Sequence, residues 1–140
     1  MLAMEDKIFA VIDTNVIVSA LLSGNLESNP VKVFRAIMQE RIVPLYNDEI
    51  IEEYRCVLSR SKFHLDLPLI ETVIKAIITD GLNIDRTPAA DIDFPDPKDI
   101  VFYEVALSVE DSYLVTGNIK HFPVKPFVVT PAEMVRILDD

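Results

Sequence analysis

Hydrophobic residues follow two different spacings along the chain, and the two spacings alternate. Five short runs are apolar at successive positions or rich in β-branched residues, which is typical of strands buried in a sheet. Between these runs, apolar residues recur three and four positions apart, as on one face of a helix. The predicted strands are 7–12, 42–46, 82–87, the first part of 112–118, which ends in a turn, and 126–131. The predicted helices are 16–23, 29–41, 47–63, 66–81, 98–111 and 131–140.

Capping residues support several of these boundaries. Asn29 precedes Pro30, and Asn47 opens the third helix, so both asparagines are predicted caps. Gly81 is the predicted end of the fourth helix. Because strands alternate with helices, the sequence predicts an α/β fold: a three-layer α/β/α sandwich with a central parallel twisted sheet. Residues 1–140 are expected to form one domain.

Polar side chains occur where the predicted strands end. Asp13 directly follows the first strand, and Asn118 follows the fourth. Glu53 lies on the helix after the second strand, and Asp99 on the helix before the fourth. Ligands of parallel α/β sheets bind beyond the carboxyl ends of the strands. We therefore expect these four side chains to meet at one rim of the sheet.

Three polar residues, Asp13, Thr14 and Asn15, interrupt the otherwise apolar segment KIFAVIDTNVIVSALL. A carboxylate there is unfavourable unless something compensates it. One explanation is that Asp13 caps the following helix while Thr14 and Asn15 form local turn hydrogen bonds. The other is that a bound cation compensates the charge. This segment alone leaves both explanations open.

Helical periodicity separates the two adjacent acids of the third helix. Its apolar stripe consists of Ile50, Ile51, Tyr54, Val57 and Leu58. Glu52 falls almost opposite that stripe, whereas Glu53 lies at its flank. Glu52 is therefore predicted to be solvated. Glu53 is either another exposed acid or a side chain directed along the edge of the core toward the rim.

A second pair of acids stands three positions apart in the segment DPKD. Asp96 followed by Pro97 is a predicted helix cap. Asp99 lies one turn before Phe102, on the side of the helix that is expected to be buried. A carboxylate without a partner is costly in that position.

The turn after the predicted fourth strand contains Thr116, Gly117 and Asn118. Asn118 is either a turn residue that tolerates unusual backbone angles or part of the polar rim. Other polar residues show no spacing typical of a site, and we interpret them as two solvated loop acids, two lone histidines and a cysteine outside any motif: Asp91, Asp93, His64, His121 and Cys56.

Composition narrows the functional classes. The formal net charge is −10, which is the wrong sign for a protein that holds nucleic acid mainly through lysine and arginine. A phosphate-bearing partner must then meet a local basic patch or bound cations. Cys56 is the single cysteine, so no disulfide forms within the chain, and a cytoplasmic location is expected. No apolar run approaches the roughly 20 residues of a membrane span.

Three carboxylates and an amide at one rim form a donor set for a hard cation. Two carboxylates about 4 Å apart repel by roughly 4 kcal/mol at an effective dielectric near 20. Mg²⁺ prefers oxygen ligands and needs few protein carboxylates. Such an ion activates water and stabilises in-line displacement at phosphorus. A metal at the rim would explain why Asp13 is tolerated.

Four segments of the chain resemble the successive blocks of a PIN domain, most of all in toxin components of bacterial and archaeal toxin–antitoxin pairs. They are VIDTNVIVSALL, EIIEEYRCVLSR, DPKDIVFYEVALSVEDSYLVTGNIKHF and FVVTPAEMVRIL. The resemblance implies a ribonuclease dependent on Mg²⁺ or Mn²⁺, with Asp13, Glu53 and Asp99 as its three metal-binding acids. Asp96 matches an acid that recurs in this subgroup of the family, and it is expected to be a weaker metal ligand. Thr116 and Asn15 match supporting polar positions.

The chain departs from this family pattern at Asn118, where an aspartate is common. An amide oxygen still coordinates a metal or holds its water, but it adds no charge. The three acids total −3, so a tightly held second ion would need Asp96 or the substrate phosphate. In the leading hypothesis Asn118 and Thr116 orient water. Lys98 or Lys120 meets phosphate in this hypothesis, although ordinary surface charge is the favoured interpretation of both lysines.

The resemblance further implies a single-stranded RNA substrate, an antitoxin protein that restrains the enzyme, and a homodimer. A second hypothesis is a catalytically weak PIN scaffold that binds nucleic acid or protein, which the acidity and Asn118 favour. A phosphoacceptor signalling domain fits poorly, because no acceptor aspartate follows the third strand and Pro131 follows the fifth. A phosphatase with two aspartates flanking one residue fails because position 15 is Asn.

Overall fold

The computed structural model describes residues 7–88 and 94–140. Asp91 and Asp93, interpreted above as loop acids, lie outside the described residues. The strands are β1 (Ile8–Ile12), β2 (Ile42–Tyr46), β3 (Leu82–Asn83), β4 (Tyr113–Val115) and β5 (Val128–Val129). The helices are α1 (Thr14–Leu22), α2 (Asn29–Met38), α3 (Asp48–Leu58), α4 (Leu67–Asp80), α5 (Ile100–Leu107) and α6 (Pro131–Asp139).

The five strands form one parallel sheet in the order β3-β2-β1-β4-β5. Helices flank the sheet, so the predicted three-layer α/β architecture is confirmed. The strand order reverses at β1, since β2 pairs with one side of it and β4 with the other. Such a reversal opens a crevice at the carboxyl ends of the two strands that diverge. Here those strands are β1 and β4, which end at Asp13 and Thr116.

The core is formed by the strands and by the inner faces of the helices. Ala10, Val11 and Ile12 of β1 are almost completely buried. Helix α5 crosses β1 and β4 and is buried on every side from Val101 to Ala106. None of the helices in the part of the chain that the structure describes is long and apolar enough to cross a membrane.

Several predicted boundaries were wrong, each because a local backbone feature overrides the periodicity. Ser28, rather than Asn29, caps α2 through its side chain. Helix α3 ends at Leu58 and not at residue 63, because Arg60 is extended and 61–63 form a 3₁₀ turn. The predicted strand 82–87 is only two residues long. The first turn of the predicted helix 98–111 is 3₁₀, and α5 ends at Leu107.

Gly81 ends α4 as predicted, for a steric reason. A Cβ at this position would lie 2.3 Å from the Pro44 carbonyl oxygen and 2.6 Å from that of Ile77. Glycine therefore permits the close approach of the α4 terminus to β2. This approach leads the chain directly into β3.

Candidate active site at the carboxyl edge of the sheet

Asp13 occupies the position where β1 and β4 diverge, and its side chain does not cap α1. Its backbone N–H donates to the Val115 carbonyl, which holds it against the end of β4. No side-chain capping bond to α1 is formed. Instead, Asp13 Oδ2 accepts hydrogen bonds from Thr116 Oγ1 (2.7 Å) and Asn15 Nδ2 (2.9 Å). The capping explanation for Asp13 is therefore wrong.

The turn after β4 is connected to the start of α1 by the same side chains. Asn15 Oδ1 accepts from the Gly117 backbone N–H (2.9 Å), and Thr116 Oγ1 accepts from the Asn118 N–H (2.9 Å). A Cβ at Gly117 would lie 3.1 Å from Asn15 Oδ1, so the two segments are tightly apposed. Asn15 and the fully buried Thr116 thus position Asp13 from two sides.

Burial raises the pKa of Asp13 and of its neighbour Tyr54. Desolvation raises the pKa of Asp13, and the hydrogen bonds from Thr116 and Asn15 partly offset that effect. Tyr54 is fully buried, and burial raises its pKa as well, with the charge of Asp13 as a lesser cause. Its Oη donates to the carbonyl of Ile12 (2.6 Å). The phenol is thus a permanent donor at the end of β1.

Helix α3 brings Glu53 to the rim. Asn47 caps the helix as predicted, accepting from the Ile50 N–H at 2.9 Å. One turn later, the Tyr54 hydroxyl bonds α3 to the end of β1 through the Ile12 carbonyl. Glu53, one residue earlier, is partly exposed and lines the crevice, whereas Glu52 is exposed. Within the described residues, the Glu53 carboxylate forms no hydrogen bond or ion pair.

Asp99 approaches from the start of α5. Asp96 caps the preceding 3₁₀ turn as predicted, accepting from the Lys98 N–H at 3.0 Å. One oxygen of Asp99, Oδ2, is buried and has no hydrogen-bond donor among the described residues. His121 Nδ1 lies 3.4 Å from it, in ion-pair range but without hydrogen-bond geometry.

The pKa of Asp99 is raised to about 6, first by desolvation and then by the negative charges of Asp13 and Asp96. The charge of His121 acts in the opposite direction. Because Asp13 is among these causes, the two acids influence each other across the crevice. Like charges are gathered here, and within residues 7–88 and 94–140 no lysine or arginine pairs with either carboxylate.

One pocket of about 310 Å³ contains most of the predicted site residues. The predicted residues that line it are Asp13, Asn15, Glu53, Asp96, Lys98, Asp99 and Asn118. Thr116 lies beneath the pocket, holding Asp13. Lys120 lines a neighbouring apolar groove together with Phe122 and Val124. Lys120 is therefore not placed beside the carboxylates.

Sequence reasoning missed four residues that line this pocket: Thr14, Arg60, Phe63 and His121. Thr14 does not form the expected turn hydrogen bond, since its buried Oγ1 has no partner among the described residues. His121 was interpreted as a lone histidine, but the 3₁₀ turn of 119–121 carries it to Asp99. Arg60 and Phe63 fell inside a predicted helix, so no pattern marked them.

The donor set fits a hard divalent cation. It consists of carboxylate and amide oxygens, and the buried Asp99 Oδ2 lacks any hydrogen-bond donor among the described residues. As the side chains stand, no three Asp, Glu, His or Cys side chains of residues 7–88 and 94–140 are close enough to hold an ion together. The carboxylate of Glu53 is free to rotate inward, because no hydrogen bond or ion pair in the described structure holds it.

A second polar cluster, which sequence reasoning also missed, lies at the same edge of the sheet. Arg86 follows β3, and its Nε donates to Glu104 Oε1 of α5 at 2.6 Å. Its Nη1 donates to Glu49 Oε2 of α3, also at 2.6 Å. Glu104 is buried in the middle of an otherwise apolar helix. Arg86 thus ties together the two helices that carry Glu53 and Asp99.

Comparison with known proteins gives a family assignment. No significant match is found to curated proteins or to solved structures. The family model described as PIN domain matches residues 10–120. This range includes every acid of the pocket and the polar turn after β4. Members of this family are generally nucleases, typically dependent on divalent metals. Because the match covers most of its length and contains the whole pocket, the chain belongs to the PIN domain family.

Proposed function

We propose that this protein is a metal-dependent endoribonuclease whose active site is the rim pocket. The observation that carries the proposal is the juxtaposition of Asp13 and Asp99. Both carboxyl groups are desolvated, each is directed to the same crevice, and Asp99 Oδ2 lacks a hydrogen-bond donor in the described structure. A divalent cation would supply a counter-charge directly at these two carboxylates and an electron-pair acceptor for their free oxygen atoms.

In this proposal Asp13, Glu53 and Asp99 hold Mg²⁺ or Mn²⁺. Asp96 contributes more weakly, because its Oδ1 already accepts a backbone hydrogen bond. Asn118 lines the pocket without adding charge. With three charges from the acids, we infer one tightly held ion. A second ion would depend on Asp96 or on the substrate phosphate.

The remaining residues position the reacting groups. Thr116 and Asn15 fix the Asp13 carboxylate, so its free lone pairs face the pocket. Asn118 is exposed at the mouth, where its amide can orient a water molecule. Lys98 lines the pocket and contacts the incoming phosphate. Lys120 lines the neighbouring groove and can reach only a more distant part of the RNA. When bound, the metal lowers the pKa of water and stabilises charge that develops at phosphorus.

The decisive experiment is a cleavage assay on mixed RNA and DNA with Mg²⁺, Mn²⁺ or EDTA. We expect wild-type protein to cleave RNA only with metal, and Asp13→Asn to lose about 100-fold or more of that activity. Glu53→Gln should be similarly impaired. Glu52→Gln is the matched control, because Glu52 is exposed on the same helix and lies outside the pocket. Equal activity of the two glutamine variants would contradict the assignment of Glu53.

The alternative is a PIN scaffold that binds without cutting. Asn118 and the net charge of −10 favour it, since an amide weakens metal binding and the negative charge opposes the approach of phosphate. This alternative predicts that wild-type protein binds RNA equally with Mn²⁺ and with EDTA and leaves the RNA intact in both.

From the resemblance to toxin components we also propose a biological setting, a cytoplasmic toxin restrained by an antitoxin protein and acting as a homodimer. Expression of the wild-type chain should arrest growth, and Asp13→Asn should relieve the arrest. Growth at the normal rate with active, abundant wild-type protein would argue against the toxin role and leave the nuclease proposal intact.

A further inference from the structure

Phe63 is exceptional among the aromatic side chains of this protein. All seven phenylalanines and four tyrosines lie in the described residues, and every one except Phe63 is in the core or packed against it. Phe63 instead lines the rim pocket from the 3₁₀ turn after α3. Its ring is half-buried and lines a pocket where a ligand can contact it, and an aromatic ring contributes a large apolar area when it is covered.

The pocket has two chemically different halves. One half contains the carboxylates and Asn118. The other is apolar and is formed by Val18 of α1, Val57 of α3 and Phe63. Val57 belongs to the apolar stripe predicted for α3, yet it is only half-buried, because the chain above it turns outward at Arg60. The apolar half therefore directly adjoins the proposed metal-binding residues.

Arg60 stands beside this apolar half without a partner. Its side chain forms no hydrogen bond or ion pair within the described residues, whereas Arg55 pairs with Glu71 and Arg86 with Glu49. Lys62 places its Nζ 5.2 Å from the centroid of the Phe63 ring. An acidic chain thus presents an aromatic ring with two cations at the mouth of its acidic pocket.

We propose that the apolar half of the pocket is a subsite for one unpaired nucleobase, with Phe63 as the stacking surface and Arg60 binding an adjoining phosphate. This inference rests on the proposed nuclease function and adds a determinant of substrate choice. Aromatic rings and arginines are the groups with which proteins hold single-stranded nucleic acid, because every base offers a π-face. A base inside a duplex is already stacked on both sides, so single strands are selected.

Charge supports this occupant over an apolar peptide. A protein of net charge −10 repels a polyanion over most of its surface and needs a local attraction that salt-screened charge alone does not supply. Stacking of a base on Phe63 supplies this attraction next to the cleaved bond. Arg60, which lines the same pocket, suits a phosphate next to the base, whereas an apolar peptide would leave it unpaired.

The first test measures binding in EDTA, where no cleavage occurs, by the fluorescence anisotropy of a labelled single-stranded RNA. Phe63→Ala should raise the dissociation constant about 10-fold, and Phe63→Trp should restore tight binding. Arg60→Gln should weaken binding and flatten its salt dependence. The matched controls are Val124→Ala, an exposed apolar truncation outside the pocket, and Arg136→Gln, an arginine on α6 that also lies outside the pocket. Both controls should bind like the wild type.

The second test removes the base instead of the ring. An RNA with an abasic ribose on either side of the cleaved phosphate should lose affinity for wild-type protein at one of the two positions. At that position Phe63→Ala should cause no further loss, since ring and base act together. An equal effect of Phe63→Ala on intact and abasic RNA would overturn the subsite. So would the absence of binding by the wild type, or tighter binding of a duplex than of a single strand.

These outcomes separate the subsite from the nuclease proposal. Phe63-dependent binding without metal-dependent cleavage would leave the subsite and remove the nuclease function. Metal-dependent cleavage unchanged by Phe63→Ala on every RNA would do the reverse. Single-stranded DNA of the same sequence forms the third arm. Equal dependence on Phe63 identifies the base as the recognised group, and loss of that dependence with DNA overturns base stacking.

Discussion

Two polar regions lie at the same edge of the sheet and handle charge in opposite ways. Around Arg86, the guanidinium donates to Glu49 and to the buried Glu104, so opposite charges meet. In the rim pocket, Asp13 and Asp99 face each other, and neither carboxylate has a lysine or arginine partner in the described structure. Burial alone therefore does not distinguish the two regions. What distinguishes them is whether the protein provides its own counter-charge.

The comparison teaches how to separate structural from functional charge in this protein. A buried acid that is paired within the chain contributes to folding, and its removal leaves the partner unsatisfied. A buried acid left without a counter-charge opposes folding, so its presence points to a ligand that supplies the charge. Arg86 also connects the two regions, because it binds both α3, which carries Glu53, and α5, which begins directly after Asp99.

The largest effect is expected from breaking the paired region. Arg86→Ala removes a guanidinium from a buried carboxylate, and we expect a loss of about 3 kcal/mol in the free energy of unfolding, measured with urea. Arg55→Ala is the matched control, because the Arg55–Glu71 pair is exposed on both sides and its loss should change stability little. Equal urea midpoints for the two variants would show that the Arg86 cluster is not structural.

Binding of Mn²⁺ in the pocket should raise the free energy of unfolding by nearly as much as Arg86→Ala lowers it. At a Mn²⁺ concentration of about 100 times its dissociation constant, wild-type protein should gain about 2.7 kcal/mol, seen as a rise in Tm. Asp99→Asn should gain much less, whereas Glu52→Gln should gain as much as the wild type. A Tm increase of the same size in all three proteins would mean that Mn²⁺ binds elsewhere.

A fourth acid in the pocket should increase both its affinity for metal and the repulsion among its carboxylates without metal. Asn118→Asp increases the negative charge of the pocket, so we expect Mn²⁺ to bind about 10-fold more tightly, or about 1.4 kcal/mol. In EDTA the same variant should be less stable than the wild type, because repulsion increases. Asn118→Ala is the control and should not tighten binding. Titration calorimetry measures the affinity, and weaker binding by Asn118→Asp would place Asn118 outside the metal site.

The smallest effect is a pH dependence of stability in EDTA. The folded-state pKa of Asp99 is raised from 3.8 to about 6, so ionisation opposes folding. The penalty is absent below pH 3.8, grows as the pH rises toward about 6, and is constant above that. After allowance for solvent at the pocket mouth, we expect Asp99→Asn to become more stable than wild type by about 1 kcal/mol over this range. A difference independent of pH would refute the shifted pKa.

The residues that were singled out from the sequence were each marked by a local signal. Asp13 and Asn118 were found because each comes directly after a predicted strand, and Asn47 because it opens a helix. Asp99 was found from its place before Phe102 in a periodic stretch. For each of these residues, neighbours a few positions away contain the necessary information, because strand direction and helical phase are local properties.

The residues that escaped prediction depend on contacts between distant segments. No sequence pattern singled out a role for Glu104, whose hydrogen bond with Arg86 joins it to a residue 18 positions earlier. Phe63 and Arg60 escaped because α3 ends at Leu58 without a glycine or proline to mark the end. Asp13 forms no side-chain capping bond, and its Oδ2 instead accepts a hydrogen bond from Thr116, 103 positions away, which no local pattern reveals.

By itself, the sequence determined the α/β class, the parallel strands and the set of acids at their carboxyl ends, because these follow from periodicities of two to four residues. Tertiary structure alone decided which acids remain without a counter-charge, which are neutralised, and which aromatic ring stays outside the core. Each of those outcomes depends on the strand order, which reverses at β1 and brings together side chains that are far apart in the chain. Desolvation and pairing are properties of that assembled neighbourhood, so no local pattern specifies them.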